Sequence, residues 1–295
     1  MELFLTVCVA SLTLGLLYAT FALGLGLVLR ASGEVNLAHG DSLVLATYVG
    51  VATAAAGAPV LAVLIAVAVA AGVGALAFVC VYGPVQRRAR PGAVTLGFLP
   101  ALAVALIVRN LTEHLLPRGH RDVPALLPGG STGLFYDYRL PGTGWWLLAL
   151  GLLVPLALSQ ALVRTRPGQR LRAVSEDAVL ARLVGVPVTR TLMTAYLVAG
   201  ALGGLAGALF ASFFGQLTVT LGWQATVKGF IVAVLGGVAW VRGALVGGLA
   251  LGALESFTSA YVTTTYRDVV TFSMLIAILL VAPRGLLARE ALREA

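Results

Sequence analysis

Glu34, Asn36, His39 and Asp41 fall within eight residues of one another, in the stretch SGEVNLAHGDSLVLATY that begins at Ser32. These side chains can hold ions, exchange protons or accept hydrogen bonds, and an apolar run follows them directly. A polar group entering hydrocarbon is costly unless it faces a cavity, a partner or the interface. Gly33 and Gly40 permit a broken helix here, and a broken helix frees backbone N–H and C=O groups that can hold the polar ends of a solute. The plainer alternative is an interfacial turn that caps the following helix. Two further charges stand inside apolar runs: Lys228 in GWQATVKGFIVAVLGG and Glu255 in LGALESFTSAY. Lys228 either snorkels to the external interface or presents its charge inward, to a pathway or to Glu255. Glu255, beside Ser256, Thr258 and Ser259, is either a wet helix end or part of an inward patch near Lys228.

Other chemistries lack their residues. Three His and two Cys, dispersed, make no metal-ligand set. Cys8 and Cys80 lie in apolar runs, so no disulfide framework is expected. His114 and His120 stand in a loop without partners. No G-x-S-x-G elbow and no G-x-x-x-x-G-K-[ST] loop occurs, so neither esterase-type catalysis nor ATP hydrolysis by the P-loop route is expected of this chain. We expect no catalytic residue, no metal and no cofactor.

The densest charge lies elsewhere. Arg164, Arg166, Arg170, Arg172, Glu176, Asp177, Arg182 and Arg190 fall within 27 residues. Inside this island the spacing predicts one short helix. Ser175 is a capping type, and Glu176 and Asp177 suit the positive end of its dipole. Arg182 suits the other end, Gly185 can take a left-handed C′ position, and Pro187 stops continuation. Val174, Ala178, Ala181, Leu183 and Val184 give it an apolar side that needs something to dock on.

These residues are positioned by an overwhelmingly apolar chain. Hydrophobic residues make up 59% of the 295 and charged residues 11%, with mean hydropathy +0.97. Soluble domains carry about 25% charged residues, so the composition points to an all-α, polytopic transmembrane bundle. The predicted spans are 3–29, 37–56, 59–82, 93–110, 144–163, 191–214, 224–240, 243–262 and 268–282, about 8–9 in all. The stretch 37–56 is a candidate for a break, and Gly236-Gly237 interrupts the pair 224–262. The net charge of +8 does not point to nucleic acid, because the basic residues sort by side rather than by face. With the N-terminus outside and the C-terminus cytoplasmic, 14 of the 20 basic residues fall inside, as the positive-inside rule requires. The N-terminus, MELFLTVCVASLTLG, has no basic n-region and reads as an uncleaved first span. The chain is expected to form a single permease-like domain over 1–295, with an external loop at 111–143 and a cytoplasmic loop at 164–190. That external loop carries four prolines and a short strand near Phe135–Arg139. Trp145 and Trp146 follow as an interfacial anchor. Glycines at four-residue steps, Gly200/Gly204, Gly203/Gly207, Gly243/Gly247 and Gly248/Gly252, predict close helix packing.

Several of these segments carry a resemblance. GLLYATFALGLGLVLRASGEVNLAHGDSLVLATYVG, which contains an N-[FL]-A-H-G element, is similar to the N-terminal signature of the LivH-type permease, the membrane subunit of bacterial branched-chain amino acid ABC importers. GQRLRAVSEDAVLARLVGVP resembles that family's cytoplasmic coupling segment. KGFIVAVLGGVAWVRGALVGGLALGALES resembles its glycine-rich pair of spans, and YRDVVTFSMLIAILLVAPRGLL its last span. One departure is Val238-Ala239-Trp240, where the family has a small G-x-G-S turn; Trp240 is then an interface anchor.

The resemblance implies a multi-pass protein of the bacterial inner membrane. It implies a second permease chain (a LivM-like paralogue), two cytoplasmic ATP-binding subunits and an extracytoplasmic substrate-binding protein. It puts ATPase coupling on Gly168, Ala173, Glu176, Asp177, Ala181 and Gly185, and the translocation pathway near Asn36, Ala38, His39 and Gly40. Lys228 and Glu255 join that pathway as residue-level candidates. Permeases for urea and short amides share the A-H-G element, so they are the alternative solute class. An alternative of another kind is an ion-coupled secondary transporter or intramembrane enzyme acting alone through Glu34, His39, Asp41, Lys228 and Glu255.

Overall fold

Each of the nine predicted stretches carries a helix in the computed structural model, which describes residues 2–54, 59–88, 98–115, 121–123, 126–127, 132–135, 138–140, 142–236, 241–262 and 266–281. These helices are α1 (Glu2–Ser32), α2 (Ala38–Ala54), α3 (Pro59–Ala77), α5 (Phe98–Leu115), α6 (Gly142–Arg164), α9 (Val188–Phe214), α10 (Thr220–Leu235), α11 (Val241–Tyr261) and α12 (Arg267–Val281). A five-residue π segment, Phe78–Tyr82, joins α3 to the short α4 (Gly83–Arg88), and α7 (Arg166–Glu176) and α8 (Ala178–Leu183) lie between α6 and α9. Among the described residues, five helical stretches have the length and hydropathy to cross a membrane: Leu3–Ser32, Pro59–Val85, Gly144–Arg164, Val188–Phe214 and Val241–Tyr261. Residues 93–97 of the predicted fourth span lie outside the described residues, and residues 111–115, assigned to the external loop, form the last turns of α5. The anchor position Trp240 and the surrounding turn, His120, and the arginines beyond Val281 lie outside the described residues.

Backbone polar groups inside an apolar bundle must be paired within the helix, and hydroxyls follow the same rule. Thr20 Oγ1 donates to Leu16 O at 2.9 Å, Ser42 Oγ to Ala38 O at 2.7 Å and Thr47 Oγ1 to Leu43 O at 2.7 Å. Each returns to its own helix one turn back, which lets it be buried without a tertiary partner.

The described residues group into two compact units. The first comprises 1–23, 127–156 and 227–295, the second 24–126 and 157–226. In the second unit α9 uses two faces. A Cβ at Gly200 or Gly204 would run into the α3 backbone at Ala70 and Ala66, whereas one at Gly203 or Gly207 would meet His39, or Thr47 and Leu43, of α2. The two overlapping glycine steps therefore serve two different neighbours. In the first unit α11 repeats the device: Gly247 faces Val232 of α10, while Gly248 and Gly252 face Gly15 of α1. Such backbone approach is the packing that drives helix association where lipid is as apolar as leucine.

Short strands occupy the segment predicted as an external loop. β1 (Arg121–Asp122) pairs antiparallel with β4 (Gln216–Leu217). β2 (Thr132–Phe135) pairs antiparallel with β3 (Tyr138–Leu140), so Phe135 and Arg139, predicted to share a single strand, lie on two paired strands.

Candidate functional site

The chain breaks at the A-H-G element. α1 ends at Ser32, Gly33 takes φ +73°, and α2 starts at Ala38. Only Gly33 performs the break, because a positive φ is costly for residues with a Cβ. Gly40 lies within α2, where its missing Cβ admits Gly222 O and Thr226 Oγ1 of the first turns of α10. The Asn36 carbonyl accepts from His39 N at 3.2 Å, closing the first turn of α2.

The predicted polar residues at this break are brought into the protein. Asn36, Ala38, His39 and Asp41 are all buried, and Glu34 is half-buried. The His39 imidazole lies against bare backbone on two sides: Cβ atoms at Gly24 and Gly203 would stand 2.7 Å and 2.9 Å from its ring. Gly203 is near the midpoint of α9, so the ring sits far from either end of that 27-residue helix. Ala38 packs with Leu45, Val104, Ala105 and Val108, joining α2 to α5. Asp41 lies within electrostatic reach of Arg109 and Glu113, which pair with each other on α5 at 3.2 Å.

Three aromatic residues complete this region and were missed in the sequence. Tyr82 donates its phenol to Asn36 Oδ1 at 3.2 Å, and Tyr196 of α9 donates to Glu34 Oε2 at 3.4 Å. Their rings lie 4.9 Å apart, and Phe78 stands 5.2 Å from Tyr196. The π segment carries Phe78 and Tyr82, with Gly83 N donating to Phe78 O across the widened turn. Such turns often occur at functional positions. Nothing in periodicity marks one inside a continuous apolar run, so the hint available was a pair of tyrosines needing partners for their hydroxyls.

Lys228 and Glu255 meet in the first unit. Lys228 Nζ lies 2.6 Å from Glu255 Oε1, with side-chain exposures of 11% and 0%. Tyr18 donates to Glu255 Oε2 at 2.7 Å and accepts from Lys228 at 3.3 Å, and Thr271 donates to Glu255 Oε1 at 3.5 Å. Of the readings open in the sequence, the pairing holds. Lys228 does not snorkel, and Glu255 is not a wet helix end. An ion pair this buried survives because each charge also has hydrogen-bond partners.

The charged island folds as two helices rather than one. Thr165 caps α7 by accepting from Gly168 N at 3.2 Å, with Pro167 in the first turn. Gly168 is buried against Ala161 and Leu162 at the end of α6. Leu171 and Val174 are buried on the same side of α7. Ser175 is not a cap: it lies within α7 and donates to Arg172 O at 2.7 Å. Asp177 caps α8 instead, accepting from Val179 N at 2.7 Å and Leu180 N at 2.9 Å. Ala173 O accepts from Asp177 N, Ala181 is buried and accepts from Val186 N, and Gly185 takes φ +82° as the left-handed stop. The apolar side divides. Val174 and Ala181 pack inward, while Val179, Leu180, Leu183 and Val184 are 61–79% exposed. Glu176 is exposed at the end of α7.

Apolar helices of spanning length, a broken helix entry lined by buried polar groups and a capped helix presenting bare apolar residues together define an all-α protein with helices of membrane-crossing length. The chain belongs to the family described as the branched-chain amino acid transport system permease component, which it matches over residues 7–279. It is 32% identical over 290 residues to the high-affinity branched-chain amino acid transport system permease protein LivH of Salmonella typhimurium, covering 94% of this chain and 93% of that one. It is 28% identical over 292 residues to the corresponding protein BraD of Pseudomonas aeruginosa, covering 95% and 94%. A shorter match reaches the xylose transport system permease protein XylH of Escherichia coli, 28% identical over half of this chain and 38% of that one. No solved structure matches the chain significantly.

Proposed function

We propose that this chain is the membrane subunit of an ATP-driven importer of branched-chain and related hydrophobic amino acids. It works with a second, LivM-like permease chain, two cytoplasmic ATP-binding subunits and an extracytoplasmic binding protein that delivers the solute. The observation that carries this reading is α8, a helix capped at both ends whose Val179, Leu180, Leu183 and Val184 face outward. A rigid helix with bare apolar residues is suited to a pocket on another chain, and it transmits a displacement better than a loop does. Glu176 is the exposed charge beside it. Asp177 and Gly185 set its ends, and Gly168, Ala173 and Ala181 hold the α7–α8 pair on the bundle.

The pathway runs past Asn36, Ala38, His39 and Gly40, where the helix break brings polar groups among apolar helices. Lys228 and Glu255, engaged with each other, Tyr18 and Thr271, brace their own unit rather than bind solute. Similarity over most of the length to permeases named for branched-chain amino acids supports this solute class over urea or short amides.

The test is capture of the ATP-binding subunit. L180D/L183D is expected to fold with an unchanged melting temperature and to lose that subunit on co-purification. Full retention by the folded variant would refute the docking assignment. Leucine uptake by the purified chain alone, without ATP or partners, would favour a stand-alone transporter instead.

A further inference from the structure

α6 is of spanning length, and Ala157, Gln160, Val163 and Arg164 are exposed toward its end. At helical spacing these residues form one stripe, so Arg164 terminates the stripe that faces the surrounding medium. Gly168 packs on Ala161 and Leu162, which keeps the first turn of α7 against the last turn of α6. Arg166 and Arg170 follow on α7, one turn apart and both exposed. The buried side of α7, at Gly168, Leu171 and Val174, is turned away from them.

The other flank of α7 differs. Glu176 lies within electrostatic reach of Arg30 at the end of α1 and attracts it, so an opposite charge of the chain itself stands there. Neither of the ion pairs found among the described residues involves Arg164, Arg166 or Arg170. Arg166 and Arg170 thus follow, one turn apart on α7, directly after Arg164 at the end of a membrane-length helix. A guanidinium fork matches a phosphate with two parallel hydrogen bonds. An amphipathic helix with an arginine-rich polar face is suited to lie at a membrane surface.

We propose that Arg164, Arg166 and Arg170 form a binding site for the headgroup phosphate of an anionic phospholipid at the membrane edge of α6. The site anchors α7 at the bilayer surface, while the apolar residues of α8 remain clear for a protein partner. This assignment rests on the chain's spanning a membrane and is independent of the solute it carries.

The full chain, purified without partners, is placed in nanodiscs of phosphatidylcholine containing graded phosphatidylglycerol, and retained lipid is counted by native mass spectrometry. Each arginine removed is expected to weaken phosphatidylglycerol retention by about fivefold, the effect of one basic residue near an anionic surface. R164Q/R166Q/R170Q then binds phosphatidylglycerol no better than phosphatidylcholine, while R182Q, changed on α8, behaves as the parent. The single variants R166Q and R170Q carry the same expectation, about fivefold each, if the triple variant does not fold. Unchanged phosphatidylglycerol retention in the folded triple variant, or in both single variants, overturns the proposal. So does a folded triple variant that keeps the lipid in nanodiscs and, in a separate co-purification, loses the ATP-binding subunit, because the patch would then be a protein-docking surface.

Discussion

Removing Lys228 alone would leave Glu255, with 0% of its side chain exposed, as a carboxylate without its cation. Breaking one side of a buried ion pair costs about 3–5 kcal/mol, because the remaining charge stays desolvated. K228M is therefore expected to lower stability by that amount, E255Q to do the same, and K228M/E255Q to recover most of the loss. Melting of the four proteins as a double-mutant cycle measures this coupling, and simple additivity would show that the two charges act separately. Asp177 makes a second residue-scale case. Its carboxylate accepts from two backbone N–H groups that open α8. D177A is expected to cost about 1 kcal/mol of local helix stability, read as roughly fivefold faster amide exchange confined to α8. Unchanged exchange would show that α8 is held by packing and not by its cap. The residue types at both places were legible in the sequence, but their partners were not. Lys228 and Glu255 are 27 positions apart with no periodicity linking them, and Tyr18 lies 210 positions before Lys228. Ser175 and Asp177 are both good capping residues two apart. The choice fell to Asp177 because Ser175 bonds back to Arg172 O within α7.

At the scale of elements, glycine spacing separates positions that pack from positions that do not. A side chain at Gly200 would enter the backbone of α3, whereas nothing lies within 4 Å of a Cβ at Gly26. G200L is expected to lower the yield of folded protein sharply, by the overpacking cost of about 1–3 kcal/mol or more. G26A is expected to be neutral or stabilising by up to about 1 kcal/mol, since alanine is the better helix former. Thermal melts of the two in one detergent check both, and equal tolerance would contradict the packing of α9 on α3. The long helices were readable because each is a long apolar run bounded by glycine, proline or charge. α7 was not readable, because Arg166-Pro167-Gly168 looks like a helix breaker. In the structure Thr165 caps that start, Pro167 needs no backbone donor in a first turn, and Gly168 is required where α7 meets α6. The break before α2 was anticipated from Gly33 and Gly40 together. Only Gly33 turns the chain, and Gly40 serves the approach to Gly222.

At the scale of the whole molecule, no G-x-x-x-x-G-K-[ST] loop occurs in the sequence. In the proposed function, force arrives from another chain through α8 and acts on the helices bearing the polar break at Asn36–Gly40. Family membership, which covers residues 7–279, was visible beforehand in the A-H-G element and the coupling-like segment. The aromatic cluster of Phe78, Tyr82 and Tyr196 was not, because its members come from two distant apolar runs brought together only by packing. The most direct test is ATP-dependent leucine uptake into proteoliposomes holding this chain, its partner permease, the ATP-binding subunits and the binding protein. The account predicts uptake that requires ATP and the binding protein and is abolished by L180D/L183D. Uptake that proceeds undiminished with L180D/L183D, or without ATP, would contradict it.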